Sequence, residues 1–211
     1  MPKSVEFTIH CKKCSRLHNY LRDSKKKYPD YYCKPVPAFG DSKAKLLIVG
    51  LAPGLHGANA TGRPFTGDYA GVLLYETLYK HGFSNQTESR ALDDGLELKD
   101  CRITNAVKCV PPENKPTTQE ARTCNQYLQK ELREIDCETV VLALGKIAHD
   151  SVLRAIGERL AAYPFAHAAK HEIDGHFILI DSYHCSRYNT QTKRLTPEQF
   201  DKVFELIRSL I

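Results

Sequence analysis

Residues 46–68 of the 211-residue chain are LLIVGLAPGLHGANATGRPFTGD, a short apolar run followed by a long glycine-rich loop. The first four residues are apolar and partly β-branched, which is typical of a fully buried strand. Six of the chain's 12 glycines lie between Gly50 and Gly71, and glycine allows a positive φ and a close approach by other groups. A helical pattern follows from Asp68 to about His81. Ligands of α/β sheets bind beyond the carboxyl ends of the strands, so this loop is a candidate binding site.

Apolar runs and amphipathic helices alternate along the rest of the chain. This alternation predicts an α/β fold in which helices cover both faces of a parallel sheet. The predicted strands span residues 46–49, 102–107, 138–144 and 176–180. Polar loops at residues 50–68, 108–116 and 181–195 leave the carboxyl ends of three of these strands. We therefore expect the three loops to meet at one edge of the sheet.

The helices are predicted from their apolar stripes and from the residues that begin them. They span about residues 12–23, 68–81 and 117–135, follow Gly145, and begin again at Thr196. Thr117 with Glu120 predicts a capping box, and Thr196 is the predicted cap of the last helix. Residues 28–40 and 84–100 are predicted to be mostly loop.

Length and composition favour a single domain over residues 1–211, in which residues 1–40 form an N-terminal lobe rather than a second domain. No apolar run approaches the roughly 18 residues of a membrane span. The N-terminus MPKSVEFTIH lacks the apolar segment of a signal peptide. We therefore predict a cytoplasmic monomer that does not bind a membrane.

The chain is mildly basic, with a formal net charge of +5 and an isoelectric point near 8.7. A solvated surface and a nucleic-acid partner both account for such a value, so the position of the charge matters more. Seven lysines and arginines lie between Lys12 and Lys27, where Asp23 is the one acidic residue.

Eight cysteines in a cytosolic chain are unlikely to form disulfides, and four of them have the spacing of metal ligands. Cys11 and Cys14 form a C-x₂-C pair, and Cys109 and Cys124 form a second, distant pair. The two pairs predict a four-thiolate site, which zinc and an iron–sulfur cluster both accept. Spacing alone does not choose between them. Cys101 and Cys137, which precede or start predicted strands, have the pattern of buried free cysteines; Cys33 and Cys185 have no assigned role.

Three polar or aromatic residues at the predicted sheet edge have both a structural and a functional interpretation. Phe65 is either a plug that holds down the glycine loop or a platform on which a flat ligand stacks. Asp68 precedes a helix, so it is either an N-cap or a carboxylate that also faces the site. Asn105 lies in a strand, where its amide either binds the edge of a base or satisfies the backbone.

The remaining candidates lie in the second and third loops. Turn chemistry is the ordinary role of Asn114, and solvent exposure is the ordinary state of a loop histidine such as His184. Arg187 and Arg194 are candidates for contacts with phosphates.

The glycine loop contains neither G-x-x-x-x-G-K-[ST] nor G-x-G-x-x-G after its strand, which argues against a nucleotide-phosphate cradle. The segments GLAPG, HGAN and TGRPFTGD, with HCSRYN at residues 184–189, resemble the uracil-DNA glycosylase superfamily. Ala52 in the first segment indicates its type B, or family 5, branch. The resemblance implies a three-layer α/β/α fold with a central four-stranded parallel sheet. It also implies a [4Fe–4S] cluster held by the four cysteines named above.

The resemblance implies a role for each candidate in excising a base. Phe65 would stack on the flipped base, Asn105 would bind its Watson–Crick edge, and His184 would stabilise charge on the departing base. Asp68 would be the carboxylate that the type B branch uses in the reaction, and Asn114 would hold water or the base. Gly50, Ala52 and Gly54 would complete the base pocket, and Arg187, Tyr188 and Arg194 would contact DNA.

At three positions this chain has a residue that differs from the one often found in related glycosylases. Cys185 stands where the family usually has proline, which predicts a softer loop, and Ala60 replaces an arginine that type B members often have. Ala52 has no group to hold the attacking water, so Asp68 is expected to act instead. The pocket is also expected to be roomier and to accept hypoxanthine and other deaminated bases.

We therefore predict a monofunctional uracil-DNA glycosylase of base-excision repair. It would flip and excise uracil from double- and single-stranded DNA and leave an abasic site. The alternatives are a catalytically inactive iron–sulfur protein that binds nucleic acid, and another α/β hydrolase that cleaves nucleosides or nucleotides.

Overall fold

The computed structural model describes residues 5–173 and 175–211; the first four residues of the predicted N-terminal lobe lie outside this range. The strands are β1 (Phe39–Gly40), β2 (Leu46–Gly50), β3 (Cys101–Asn105), β4 (Val140–Leu144), β5 (Lys170–Ile173) and β6 (Phe177–Ser182). The α-helices are α1 (Ser15–Lys27), α2 (Ala58–Thr61), α3 (Tyr69–Lys80), α4 (Thr118–Arg133), α5 (Lys146–Ile156), α6 (Arg187–Gln191) and α7 (Pro197–Arg208). Single 3₁₀ turns span Pro112–Asn114 and Leu160–Ala162.

The strands form one sheet in the order β1-β3-β2-β4-β6-β5. The four central strands are parallel, as the alternation of strands and helices predicted. The predicted central four-stranded parallel sheet is confirmed, and two strands that were not predicted, β1 and β5, pair antiparallel at its edges. Neither edge strand has a clear sequence pattern, since β1 has two residues and β5 is the polar segment KHEI with one buried side chain.

Alternate residues of the central strands pack into two separate cores, which gives the three-layer arrangement. On one face, Leu46 and Ile48 of β2 pack with helices α3 and α7. On the other face, Leu47 and Val49 pack with helices α4 and α5. Every residue of β2 and β4 is buried, as expected for strands covered on both sides.

Local capping residues define where the longer helices begin. Thr117 with Glu120 forms the predicted capping box of α4. Thr196 caps α7 as predicted, and Gln199 completes a second box there. Residues 181–195 are not entirely loop, because Ser186 caps the short helix α6 by accepting a hydrogen bond from the Asn189 amide.

Parallel pairing brings the carboxyl ends of β2, β3, β4 and β6 to the same edge of the sheet. Gly50 at the end of β2 lies directly opposite Asn105 at the end of β3. The loops that leave these ends therefore start side by side, as expected. None of the helices in the described ranges is long and apolar enough to cross a membrane.

Candidate active site

A cleft of about 550 Å³ lies at the carboxyl edge of the sheet. It is bordered by the glycine loop (residues 50–68), the proline-rich loop (residues 108–116), the start of α5 and the loop after β6. The predicted site residues that line it are Ala52, Gly54, Phe65, Asp68, Asn105, Asn114, His184, Arg187 and Tyr188. Among the residues predicted to bind the base or DNA, Gly50 and Arg194 do not line this cleft.

Phe65 is both part of the core and part of the cleft wall. Its side chain is 6% exposed and packs with the core between the sheet and helix α3. Its ring is nearly parallel to that of His184, with an interplanar angle of 27° and 5.9 Å between the centroids. The plug and the platform are therefore compatible, because the same side chain packs in the core and lines the cleft.

The backbone around Phe65 is held in an unusual conformation by a network that sequence reasoning missed. Phe65 has a φ of 54°, which is uncommon for an aromatic residue. Arg63, 2% exposed, pairs with Asp94 at 2.8 Å and donates a hydrogen bond to the Leu92 carbonyl at 2.7 Å. The Tyr75 hydroxyl donates to the Pro64 carbonyl at 2.9 Å. The two residues before Phe65 are thus held by distant segments, which fixes the turn that presents its ring.

Asn105 is almost completely buried, yet its amide has no hydrogen-bond partner among the described residues. The residue is 3% exposed and lines the cleft. A Cβ added at Gly50 would lie 2.5 Å from Asn105 Oδ1 and 2.6 Å from the Phe65 ring. Gly50 thus contributes to the site by its lack of a side chain. Because this amide lines the cleft without a protein partner, it is a candidate ligand-binding group.

Asp68 combines the two roles that its position suggested. It is the N-cap of α3, and its Oδ1 accepts a hydrogen bond from the Gly71 amide at 3.0 Å. Its Oδ2 packs close to Gly57 and makes no hydrogen bond within the described residues. Burial raises the pKa of Asp68, and the hydrogen bond from the Gly71 amide opposes that rise. One oxygen is therefore structural and the other remains available at the cleft.

His184 follows β6 and is half-buried at the cleft. Burial lowers its pKa to about 4, so the imidazole is neutral near pH 7. The Asn189 side chain donates a hydrogen bond to the His184 carbonyl at 2.8 Å, which ties the loop to α6. A neutral imidazole can donate one N–H to an anionic atom without having carried charge beforehand.

Asn114 and Ala52 form the side of the cleft next to the N-terminal segment. Asn114 is exposed and has a φ of 56°, which asparagine tolerates better than most residues. Ala52 is half-buried and packs against the hydrophobic cluster that contains Cys124, as Cys11, Cys14 and Cys109 also do. Ala52 has no polar side-chain atom to offer to the cleft.

The end of β4 and the start of α5 also line the cleft, which the sequence analysis did not predict. The residues concerned are Leu144, Gly145, Lys146 and Ile147. Gly145 has a φ of 94°, and a Cβ there would lie 3.5 Å from His184 Cβ. The sequence did contain a signal for these residues, namely a predicted strand that ends in glycine just before a helix. Ligands of α/β sheets bind at such positions.

Of the three predicted DNA contacts, two lie at the cleft mouth. Tyr188 is 70% exposed, and the exposed Arg187 guanidinium lies 5.8 Å from the ring centre of Tyr69. Arg194 instead lies over the ring of Tyr183, 4.5 Å from its centre.

The four predicted metal ligands come together although Cys11 and Cys124 are far apart in sequence. All four border one small cavity with Leu17 and Tyr127. The Tyr127 hydroxyl donates to Cys11 Sγ at 3.1 Å, and the Lys108 amide donates to Cys124 Sγ at 3.3 Å. Burial raises the pKa of Cys124 to about 11.

The other cysteines lie apart from this group. Cys101 and Cys185 are fully buried and Cys33 is buried, whereas Cys137 is exposed. The expectation that Cys137 is buried was wrong, because β4 begins only at Val140 and the residues before it form a surface turn.

A buried network behind His184 was also missed. Asp181 Oδ1 lies 2.7 Å from His149 Nδ1, and Asp181 Oδ2 lies 3.0 Å from His171 Nε2. His149 Nε2 lies 2.9 Å from the Tyr163 carbonyl oxygen, so both ring nitrogens of His149 have polar partners. The network joins α5, β5 and β6 three residues before His184.

Comparisons with known proteins agree on one family. The family model described as the uracil DNA glycosylase superfamily matches residues 37–208. A type-5 uracil-DNA glycosylase of Thermus thermophilus is 44% identical over 94% of this chain and 93% of its own length. One of Pyrobaculum aerophilum is 40% identical over 94% of this chain and 88% of its own. A type-4 uracil-DNA glycosylase of Archaeoglobus fulgidus is 34% identical over 68% of this chain and 59% of its own.

Proposed function

Because this chain belongs to the uracil DNA glycosylase superfamily, we propose that it excises uracil from DNA. The reaction is hydrolysis of the N-glycosidic bond, which leaves an abasic site for repair. Such a reaction needs a flipped base, a donor for the departing base anion and a group that stabilises the sugar cation.

The observation that carries this proposal is the content of the cleft. An aromatic ring, an unpartnered amide, a neutral imidazole and a free carboxylate oxygen all border the same 550 Å³ space. Binding alone would not need both a carboxylate and a neutral histidine in the cleft. This combination favours catalysis over an inactive nucleic-acid-binding protein.

The flipped base would be recognised by Phe65 and Asn105. Every base has a π-face that stacks on an aromatic ring, so Phe65 supplies affinity without selecting a base. The Asn105 amide supplies one acceptor and two N–H donors, which suits the alternating donors and acceptors on the edge of uracil. Because the amide borders the cleft and has no partner among the described residues, it is free to bind a base edge.

The departing base would be stabilised by His184. Cleavage leaves negative charge on the uracil ring, and a neutral imidazole N–H donates to an oxygen of that ring. One positioned donor of this kind is typically worth about 2.7–4 kcal/mol in the transition state. The low pKa of His184 supports this role, since the imidazole keeps its neutral form throughout the neutral pH range.

The sugar cation and the attacking water would be served by Asp68. Its Oδ1 is held by the Gly71 amide, which fixes the carboxylate, while Oδ2 remains available. A carboxylate beneath the sugar stabilises positive charge and orients water, as in glycoside hydrolysis. Asn114 borders the same cleft and is our second candidate for holding that water.

We further propose that the enzyme accepts hypoxanthine and other deaminated bases beside uracil. The supporting observation is Ala52, which lines the cleft without a polar side-chain atom. A pocket with fewer fixed hydrogen-bonding groups excludes fewer bases, since discrimination is strongest where a wrong substrate leaves a polar group unpaired.

The duplex would be opened by the loop that carries Arg187 and Tyr188. Both residues lie at the mouth of the cleft, and Tyr188 is the most exposed large apolar side chain among the described residues. Flipping a base costs a few kcal/mol and least at mismatches, so uracil opposite guanine would be the preferred duplex substrate.

We also propose that Cys11, Cys14, Cys109 and Cys124 hold a [4Fe–4S] cluster. Four thiols around one cavity form the ligand set that zinc and iron–sulfur clusters share. A single tetrahedral zinc would hold its sulfurs about 3.8 Å apart, given Zn–S bonds of about 2.3 Å. Among the described residues, no three of these thiols lie within 4.8 Å of one another, and this wider arrangement favours a cluster.

The cluster would have a structural role here. Its ligands come from the segment before α1, the loop that follows β3 and helix α4. When bound it supplies cross-links between these segments, and no step of base excision passes through it. Because Ala52 packs against the same group of residues, the cluster would also support one wall of the cleft.

The test is incubation of the purified protein with duplexes that contain uracil or hypoxanthine, followed by alkaline cleavage of abasic sites. Strand cleavage at the uracil position is expected. Binding of the duplex without cleavage would instead support the inactive binding protein. Cleavage of free nucleosides but not of DNA would support another α/β hydrolase.

A further inference from the structure

A second concave site of about 400 Å³ lies beside helix α1 and is lined by cationic side chains. Its five cationic residues are Lys12, Arg22, Lys25, Lys26 and Lys34. Imidazoles of two histidines also line it, whereas no carboxylate does among the described residues. We call this site the basic pocket.

The charge of the basic pocket is poorly compensated. Asp23 lies 3.9 Å from both Arg22 and Lys26, but all three side chains are at least 60% exposed, so these pairs contribute little. Lys12 and Lys34 have no ion pair within the described residues. The five cations equal the formal net charge of the whole chain, which is +5. Cations that converge on a concave surface repel each other unless an anion binds between them.

The basic pocket adjoins the segments that form the cleft. At one end of α1, Arg16 donates a hydrogen bond at 3.1 Å to the carbonyl of Lys115, the neighbour of Asn114. Beyond its other end, the Tyr31 hydroxyl and His56 Nδ1 in the glycine loop lie 2.9 Å apart.

A third contact begins inside the pocket itself. The backbone amide of Cys33, which lines the basic pocket, donates at 3.0 Å to the carbonyl of Asn59. Asn59 adjoins Ala58, which lines the cleft. A rigid polyanion bound along α1 would therefore run beside the candidate active site.

We propose that the basic pocket binds backbone phosphates of the DNA duplex whose flipped base occupies the cleft. This inference rests on the proposed function and adds a contact region separate from Arg187 and Tyr188. Lysine suits such a site because it acts as a point charge that accepts phosphates from several directions. The lining contains no Phe, Tyr or Trp side chain, no side-chain amide and no carboxylate, so cationic groups that attract phosphates predominate.

The test compares two triple variants with the same change in charge. The pocket variant carries Lys12→Gln, Lys26→Gln and Lys34→Gln, all at exposed lysines of the basic pocket. The control carries Lys43→Gln, Lys45→Gln and Lys99→Gln, exposed lysines near the amino ends of β2 and β3, opposite the cleft. Binding to a fluorescent uracil-free duplex is followed by anisotropy over a range of salt concentrations.

Each phosphate contact contributes about 0.9 to the slope of log affinity against log salt. We expect the slope of the pocket variant to be smaller than that of the wild-type protein by up to about 2.7, because three contacts are removed. Each lost contact corresponds to about an eightfold smaller change in affinity between 1 M and 0.1 M salt. The control slope should match that of the wild-type protein. Circular dichroism of both variants checks that they fold.

Equal slopes for the two variants would overturn the proposal. So would saturable binding of inorganic phosphate or a mononucleotide that the pocket variant loses while its duplex slope stays unchanged. Uracil excision by the wild-type protein is measured separately. Absence of excision would refute the proposed function, whereas the comparison of slopes would still decide whether the basic pocket contacts DNA.

Discussion

Replacing Asp68 separates its structural role from its catalytic role. Asp68→Asn keeps an N-cap of similar strength, because asparagine accepts the Gly71 amide through its own Oδ1. It removes the charge that would stabilise the sugar cation. We expect Asp68→Asn to fold normally and to lose roughly 10²–10⁴-fold in turnover, the range for a positioned acid–base group.

Asp68→Ala should show both effects together. Losing an N-cap typically costs about 1 kcal/mol, which lowers the melting temperature of a 150–250-residue protein by about 2–4 °C. Its turnover should fall as far as that of Asp68→Asn. A matched control is Thr196→Ala, which removes the cap of α7 outside the cleft and should lower stability without changing the rate.

The assay is single-turnover excision from a uracil-containing duplex, read by alkaline cleavage, with thermal denaturation of each variant in parallel. Asp68→Asn with native stability and full excision rate would refute our reasoning. In that case Asp68 would be only a cap, and Asn114, His184 or the backbone would hold the water.

Four further predictions address the pocket, the loop and the metal. His184 has a folded pKa of about 4 against an ordinary 6.5, so the unfolded chain binds the extra proton. Neutral His184 should therefore contribute up to about 3 kcal/mol to the free energy of unfolding above pH 6.5, and this contribution should decline between pH 6.5 and 4. Denaturant titration at several pH values measures it, and His184→Gln should lack this pH dependence. Gly50→Ala places a Cβ 2.5 Å from Asn105 Oδ1, so it should weaken uracil binding while the fold persists, and unchanged inhibition by free uracil would contradict this. Arg187→Ala should weaken binding to duplex more than to single-stranded DNA, and equal loss would argue against a role in opening the duplex. Purified protein should be brown with about four iron and four sulfide per chain, whereas colourless protein with one zinc would exclude the cluster.

Much of the fold was predictable from patterns between residues that are near neighbours in sequence. The apolar run of β2, the capping box at Thr117 and the cap at Thr196 depend on interactions over a few residues. The edge strands β1 and β5 were missed because two to four residues carry no periodic signal and their pairing partner supplies the structure. Helix α6 was missed because its residues are polar and its stability comes from a local cap.

The identities of the candidate site residues also came from the sequence, because the glycine loop, the amide at the end of β3 and the histidine after β6 belong to recognisable segments. Pattern alone left each with two interpretations. Only tertiary structure decided that Asp68 has one oxygen free, that the Asn105 amide has no protein partner and that Gly50 must lack a side chain to make room for it. These facts depend on which atoms face each other across the cleft.

Contacts between distant segments were beyond the reach of sequence patterns. Arg63 and Asp94 are 31 residues apart, Asp181 and His149 are 32 apart, and Tyr127 and Cys11 are 116 apart. Local propensity and periodicity report only on neighbours along the chain and on which side of an element is apolar. Pairs such as these form only when the packed layers bring their elements together. The contacts that hold the turn before Phe65, the network around Asp181 and the basic pocket are therefore visible only in the tertiary structure.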